Sequence, residues 1–548
     1  MNDTVQIQVD AGKTCGELEH IWRYIGYDEC NYTYIPEGLE QLRKFGALPD
    51  APYYVRTHFT FCTGNCHGSY KYGSTNIYTE DENGNPVYDF EIYDKIIDAL
   101  LANNAKPFVE LGFMPMDLVD FNFLPPVEYE WSRYGQYKES GWSCPPKDYE
   151  KWHGLIRNLM EHLVSKYGRA EVVSWYFELW NEPDINYWKG SREEYCKLFD
   201  YTENALHGVL PEAQLAGPAT TGILDGGNQR EYFEFFLNHC KNGKNECNGG
   251  RGTRLDYITF HVKGGGFTFD VHAKPESPSV LSLVNQVRNG LDSIKKYGYD
   301  SLEVILSEAD PDGWAAGGLY DNANMNFRNT EYYATYIASA YHKIMMVADS
   351  YGMKVRPLAW AFLFPGERCF EGTRTFSTQG IDKAVFNAFR ILSRLGTERL
   401  ELVSSGSFDL NTVTRATGNA AEIDEIEVSG FAARGASGQT QIVLYTHHDN
   451  QYFEGSKEVS LSICGLEDAK VFNVKQYRID GGHSNAYAEW LRQGRPWYPD
   501  EKQYRAIKAY EGLTCISEET VSVKGGKLSF GLHLPAHSLS LIELSDKK

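Results

Sequence analysis

From about residue 15 to about residue 395, short runs rich in β-branched and aromatic residues alternate with longer amphipathic ones. This rhythm admits few folds, because strands separated by helices pair in parallel and need those helices to cover them. Residues 53–58, 107–112, 172–179, 214–218, 255–261, 304–306 and 358–363 read as strands. Segments 93–101, 152–167 and 330–348 carry apolar residues at helical spacing. These seven runs bring the count close to the eight strands that a closed (β/α)8 TIM barrel requires. After Gly396 the helical pattern thins, and 425–431, 441–445, 470–479, 521–523 and 538–544 alternate as short strands. That pattern predicts a C-terminal β-sandwich. The expected organisation is a barrel over 15–395 and a sandwich over 396–548, joined by an alternating strand in 1–14 that has no helix behind it. No low-complexity linker separates the two parts, so a packed interface is expected.

Two strands end in the same grammar. The aromatic run ahead of Asn181, Glu182 and Pro183 stops where proline can no longer donate to a ladder, which leaves Glu182 at the rim with the Asn181 amide beside it. The run 302–306 ends likewise in Ser307, Glu308, Ala309, Asp310 and Pro311. Either glutamate alone reads equally well as a polar residue closing a strand. Two of them at the ends of separate strands supply what glycosidic bond cleavage needs, one carboxyl to protonate the leaving oxygen and one to attack or to activate water.

The formal charge of −21, from 74 acidic against 53 basic residues, disfavours nucleic acid and acidic membrane surfaces as partners. Aromatic residues make up 14% of the chain, and their faces suit sugar rings, although a large barrel core also absorbs many of them. No N-terminal signal-like segment and no run of about 18 apolar residues occurs, so the sequence as it stands reads as a soluble cytoplasmic protein. Eleven scattered cysteines read as reduced thiols. The local group Cys62, Cys66 and His67 lacks a second ligand pair at zinc spacing, so neither a metal nor a cofactor is expected. The sequence leaves a homo-oligomer open.

The chain resembles glycoside hydrolase family 39, which includes β-xylosidases and α-L-iduronidases. The likeness is carried by Val55 to His58, Phe177 and Trp180 to Pro183, Leu255 to His261 with Lys263 and Gly264, Glu308 to Pro311 with Gly313 and Trp314, and Gly380 to Arg394. It continues through Tyr477 to Asp480, His483 to Asn485 and Trp490 to Pro499. The resemblance implies retention of anomeric configuration, with Glu182 as acid/base and Glu308 as nucleophile. It also implies sugar contacts at His58, Asn181, His261, Lys263, Gly313, Trp360 and Arg374.

The substrate stays divided. In the iduronidases the lysine matching Lys263 meets the uronate carboxylate, and Arg374 resembles a second carboxylate-binding position. Those enzymes carry an Asp shortly before an Ala-Phe-Leu run, where this chain has Ala359 and Trp360. A Trp there resembles the xylosidases, in which an aromatic floors a pentose subsite. A retaining exo-acting β-D-xylosidase is therefore the first expectation and an iduronidase-like hydrolase of a terminal uronic acid the second. A catalytically inactive carbohydrate-binding protein is the alternative from another class.

Overall fold

The computed structural model describes residues 4–68, 72–124, 141–265, 277–313, 319, 323–415 and 423–547. Trp314 lies outside them. Eight parallel staves form a nearly closed barrel: β1 (Tyr24–Tyr27), β2 (Tyr53–Thr57), β3 (Ala105–Leu111), β4 (Tyr176–Leu179), β5 (Gln214–Ala216 and Pro218–Thr220), β6 (Tyr257–Lys263), β7 (Glu303–Asp310) and β8 (Val355–Pro357 and Ala359–Trp360). Ladders run from β1 through β5, from β5 through β8, and from Ala359 and Trp360 back to Ile25 and Gly26.

Side-chain alternation sets the interior. Tyr24, Phe108, Tyr176, Tyr257, Ile305 and Leu358 form one buried cluster in the lower barrel, with the half-buried Tyr54 packed against it. Their rings meet at 4.9–6.3 Å, as for Tyr54 and Tyr176 at 4.9 Å and Phe108 and Tyr257 at 6.3 Å. Two residues further along β2, β3 and β4 the same face presents Arg56, Glu110 and Glu178, all fully buried. The barrel thus passes from apolar to ionic within one step of the pleat.

Several elements depart from the sequence reading. The stave β1 is short and contains Gly26, and it was not among the strands read from the sequence. A Cβ on Gly26 would lie 2.3 Å from the Trp360 ring, so glycine is required there by close approach and not by a turn. Val172 and Val173 end a short helix, Arg169–Val173, instead of opening β4. Ser174 closes that helix by donating to Glu171 O at 2.6 Å, and Trp175 Nε1 donates to the Glu171 carboxylate at 2.9 Å. These local bonds override the β preference of two valines. The last stave begins at Val355, before the expected 358, because its first half pairs with β7.

Beyond the barrel, hydrogen bonding runs unbroken through a nine-stranded sheet that includes the N-terminal strand Val5–Glu17. That strand lies between Glu398–Ser404, antiparallel, and Ser456–Cys464, parallel. Val5, Ile7 and Val9 share a core with Ile442, Leu444, Val474 and Ile542. Phe431, Val443, Tyr445, Leu539 and Leu541 instead join the main barrel core. The opposing helix Glu331–Tyr351 is buried along most of its length, with His342 Nδ1 2.9 Å from the Tyr445 hydroxyl and Lys343 paired to Glu427. The two parts therefore meet through packed apolar and ionic contacts.

All eleven cysteines are free thiols. Among the described residues no helix is long and apolar enough to cross a membrane.

Candidate active site

The C-terminal ends of the staves carry the cleft, where barrel folds keep their chemistry. A cavity of about 180 Å3 is lined there by His58, Asn181, Glu182, Lys263, Glu308, Gly313, Trp360 and Arg374, together with Asp28, Ile185, Tyr187 and Thr221. His261 stands at its edge, bonded to Glu182. All nine residues singled out in the sequence thus converge.

Glu308 reaches the interior through a register shift. Ile305 already faces inward, and an odd step of three would turn Glu308 outward on a regular strand. Phe260 pairs with Leu306 but His261 pairs with Glu308, so one extra residue of β7 is accommodated at this point and the phase is reset. The sequence reading ended the strand at Leu306, whereas β7 continues to Asp310 and pairs it with Lys263.

Glu182 lies beyond β4, and its amide donates to Ala219 O at 2.9 Å, which ties it to β5. Trp180 and Glu182 have φ of 66° and 45°, a left-handed conformation that residues with a Cβ avoid. The chain twists there so that Asn181 and Glu182 both face the cavity, an example of strain held at a working site.

The electrostatics separate the two glutamates. Glu308 is buried, and burial alone would raise its carboxyl. Lys263, His261 and His58 outweigh that and hold it well below the usual carboxylate range. Lys263 Nζ donates to Oε2 at 2.6 Å, and His58 Nε2 and Arg56 Nη1 lie 3.3 and 3.5 Å from Oε1. Glu308 is consequently ionised at neutral pH. His58 bonds Glu110 through Nδ1. Burial works against its charge, but Glu110 and Glu308 prevail and raise it to about 9, so it is an imidazolium at neutral pH.

Glu182 has fewer cations around it. His261 Nδ1 lies 3.0 Å from Glu182 Oε1 and 3.7 Å from Glu308 Oε2, which places the imidazole between the two carboxyls. One oxygen of Glu182, one of Glu308 and a ring nitrogen of His261 all lie within 4.8 Å of one another. These three also have the spacing of a divalent-ion site. The Lys263 ammonium already on Glu308 Oε2 opposes a second cation.

The remaining residues present donors, acceptors and a flat wall. Asn181 Oδ1 accepts from Arg56 Nη2 at 2.9 Å, while its buried Nδ2 has no partner and can donate to a hydroxyl. The Trp360 ring has the His58 ring 4.5 Å away and Arg56 and Arg374 at 5.3 and 5.9 Å. The Gly313 amide donates to Gly265 O at 3.2 Å. Lys263 Nζ and Arg374 Nη2 both donate to Asp310 Oδ2, at 2.7 and 3.0 Å, and Arg328 Nη2 lies 2.9 Å from Asp312 Oδ2.

Sequence reasoning passed over Arg56, Glu110, Glu178, Asp28 and Asp310 as site residues. Arg56 binds Glu178 Oε2 at 2.5 Å and Glu110 Oε2 at 3.1 Å, forming a platform under Asn181 and Glu308. The available signal was a charged residue inside each of three otherwise apolar strands, two positions on from an inward aromatic. Buried charges survive only in pairs.

The spacing of two carboxyls over a buried ionic platform defines the cleft of a glycoside hydrolase. The chain belongs to glycosyl hydrolases family 39, whose family model matches residues 5–525. It is 25% identical to a beta-xylosidase of Caldicellulosiruptor saccharolyticus over 99% of both chains. It is 23% identical to the alpha-L-iduronidase of Homo sapiens over 98% of this chain and 78% of that one. The crystal structure of a monomeric beta-xylosidase from Caulobacter crescentus CB15 superposes with a TM-score of 0.77 at 22% identity, covering 99% of this chain and 100% of that one.

Proposed function

We propose that the protein is a retaining exo-β-D-xylosidase that removes terminal xylose by double displacement. The observation that carries this reading is the approach of Glu182 and Glu308 to within 4.8 Å. Retaining enzymes hold their carboxyls about 5–5.5 Å apart, whereas inverting ones leave about 6.5–9.5 Å for a water. Glu308, ionised by its cations, attacks the anomeric carbon while Glu182 protonates the departing oxygen. Once Glu308 is esterified its negative charge is gone, and Glu182, now deprotonated, takes a proton from water as that water attacks the same carbon. The cavity of about 180 Å3 is suited to one sugar ring, which favours action at a chain end. The architecture proposed to carry this chemistry is a TIM barrel over 15–395, with a sandwich over 396–548 joined by the N-terminal strand.

The charge pairing favours a neutral sugar. Lys263 and Arg374 are already held by Asp310, and the Asp28 carboxylate lines the same cavity. A uronate would have to compete with Asp310 for both cations and would meet Asp28. A xylose hydroxyl needs only the donors that remain, with Trp360 as a flat wall. One observation favours an α-L-iduronidase-like reading: Lys263 and Arg374 line one cavity together.

Wild-type kcat/KM on matched nitrophenyl β-D-xyloside and α-L-iduronide decides between them. A clear preference for the xyloside is expected. Preference for the iduronide would replace this reading with the second, and turnover of no glycoside would point to a binding protein.

A further inference from the structure

A larger cavity, about 540 Å3 against about 180 Å3, opens away from the two glutamates. It lies between the helix Pro36–Gly46, the loop that follows β8, and the segment leading into the helix Glu501–Lys508. None of its lining residues is shared with the catalytic cavity.

Its wall holds unused hydrogen-bonding capacity. Gln41 is 1% exposed, its Oε1 accepts from Ser377 Oγ at 2.8 Å, and its Nε2 has no partner. Glu367 Oε2 is buried without a partner as well. Buried donors and acceptors are rarely left unmatched, and a pair that lines a cavity can be satisfied by whatever enters it. Tyr498 presents a ring that is 77% exposed, and Tyr504 is fixed nearby by donating to Gln379 O at 3.0 Å. An exposed ring beside an orphaned donor and acceptor suits a ligand with one apolar face and several hydroxyls.

Charge narrows the class further. The two lysines of the cavity are engaged, Lys44 with Asp382 at 2.7 Å and Lys508 with Gly380 O at 2.7 Å and Glu511 at 3.2 Å. Glu37 and Glu40 add negative charge to the same wall, which disfavours an anionic ligand. The volume falls within the range of small-molecule sites and exceeds that of the single-ring cavity.

We propose that this cavity is a second carbohydrate-binding site, for a neutral oligosaccharide stacked on Tyr498 and hydrogen-bonded to Gln41 Nε2 and Glu367. It adjoins the loop that carries Arg374: Phe376 N donates to Phe362 O at 2.9 Å, bracketing Arg374 between the two arms that line the larger cavity. A sugar held there would keep a longer substrate close to the cleft without taking part in bond cleavage.

Titration calorimetry on Glu308→Ala protein, which cannot consume its ligand, tests the proposal with xylotriose, cellotriose and a uronate-containing heparin disaccharide. At least one neutral trisaccharide should bind, and adding Tyr498→Ala should weaken it about ten-fold. The exposed position of Tyr498 makes loss of folding a poor explanation for that change. In the otherwise wild-type enzyme, Tyr498→Ala should leave turnover of a small nitrophenyl glycoside unchanged, and Gln41→Leu should weaken the same trisaccharide. The proposal is overturned if no neutral trisaccharide depends on Tyr498, or if the acidic disaccharide binds there more tightly. Tyr498-dependent binding in a protein that cleaves no xyloside would leave this site standing while the proposed activity fell.

Discussion

The lower and upper halves of the barrel interior are built from the same strands with the same alternation, yet they are chemically opposite. Below, Tyr24, Tyr54, Phe108, Tyr176 and Tyr257 fill the space with rings. Above, Arg56, His58, Glu110, Glu178, Lys263 and Glu308 fill it with paired charge. Ring packing gains from burial directly, whereas each buried ion needs a partner to offset its desolvation. The lower half is a stability device, while the upper half spends part of that stability to keep one carboxylate ionised.

Substitutions can break this contrast. The largest effect should come from Glu308→Ala, which is expected to lower kcat by at least about 10⁴-fold while the protein remains folded. Azide should then restore turnover by giving a glycosyl azide of inverted configuration, since a small anion can enter the space of the missing carboxylate. A retained azide would assign the nucleophile elsewhere. Arg56→Ala comes next, because it strands Glu178 and Glu110 in the interior. A loss of about 3–5 kcal/mol of stability is expected from chemical denaturation, together with loss of activity at temperatures where the protein is still folded. Phe108→Ala in the lower half should cost a similar amount, about 3–5 kcal/mol, but leave kcat nearly unchanged in the folded fraction. If both variants behaved alike in activity, the division of labour would be wrong.

Smaller effects sharpen it. Lys263→Ala removes a charge-assisted bond to Glu308 and one to Asp310, so kcat/KM should fall roughly ten- to a hundred-fold on the preferred substrate. A greater loss on a uronide than on a xyloside would favour the acidic sugar. The smallest effect concerns His58, whose imidazolium persists to about pH 9 in the folded protein against an ordinary value of 6.5. Its folded-state pKa is raised, so its contribution to stability is fully present below about pH 6.5 and is lost as the pH rises through about 9. The melting temperature of the wild type should therefore fall more steeply over that window than that of His58→Gln. Parallel curves would show that His58 carries no excess proton.

Much of this was legible in the sequence, and the omissions have physical causes. The strands leading to Glu182 and Glu308 were visible because Pro183 and Pro311 punctuate them. The first stave was missed because Gly26 lowers its strand character, and its need for glycine lies in a Trp360 ring more than 300 residues away. Val172 and Val173 misled because a side-chain cap at Ser174 outweighed their preference. Arg56, Glu110 and Glu178 were passed over, since the sequence does not reveal that three inward charges from three strands meet. The bulge that turns Glu308 inward likewise depends on the register between β6 and β7, which no local pattern specifies.

The central claim is that Glu182 and Glu308 act as a retaining pair. Proton NMR of the wild-type enzyme hydrolysing nitrophenyl β-D-xyloside, recorded before mutarotation, reads the anomer of the first sugar released. The account predicts β-xylose first, with the α-anomer growing only as the solution equilibrates; α-xylose as the first product would contradict it.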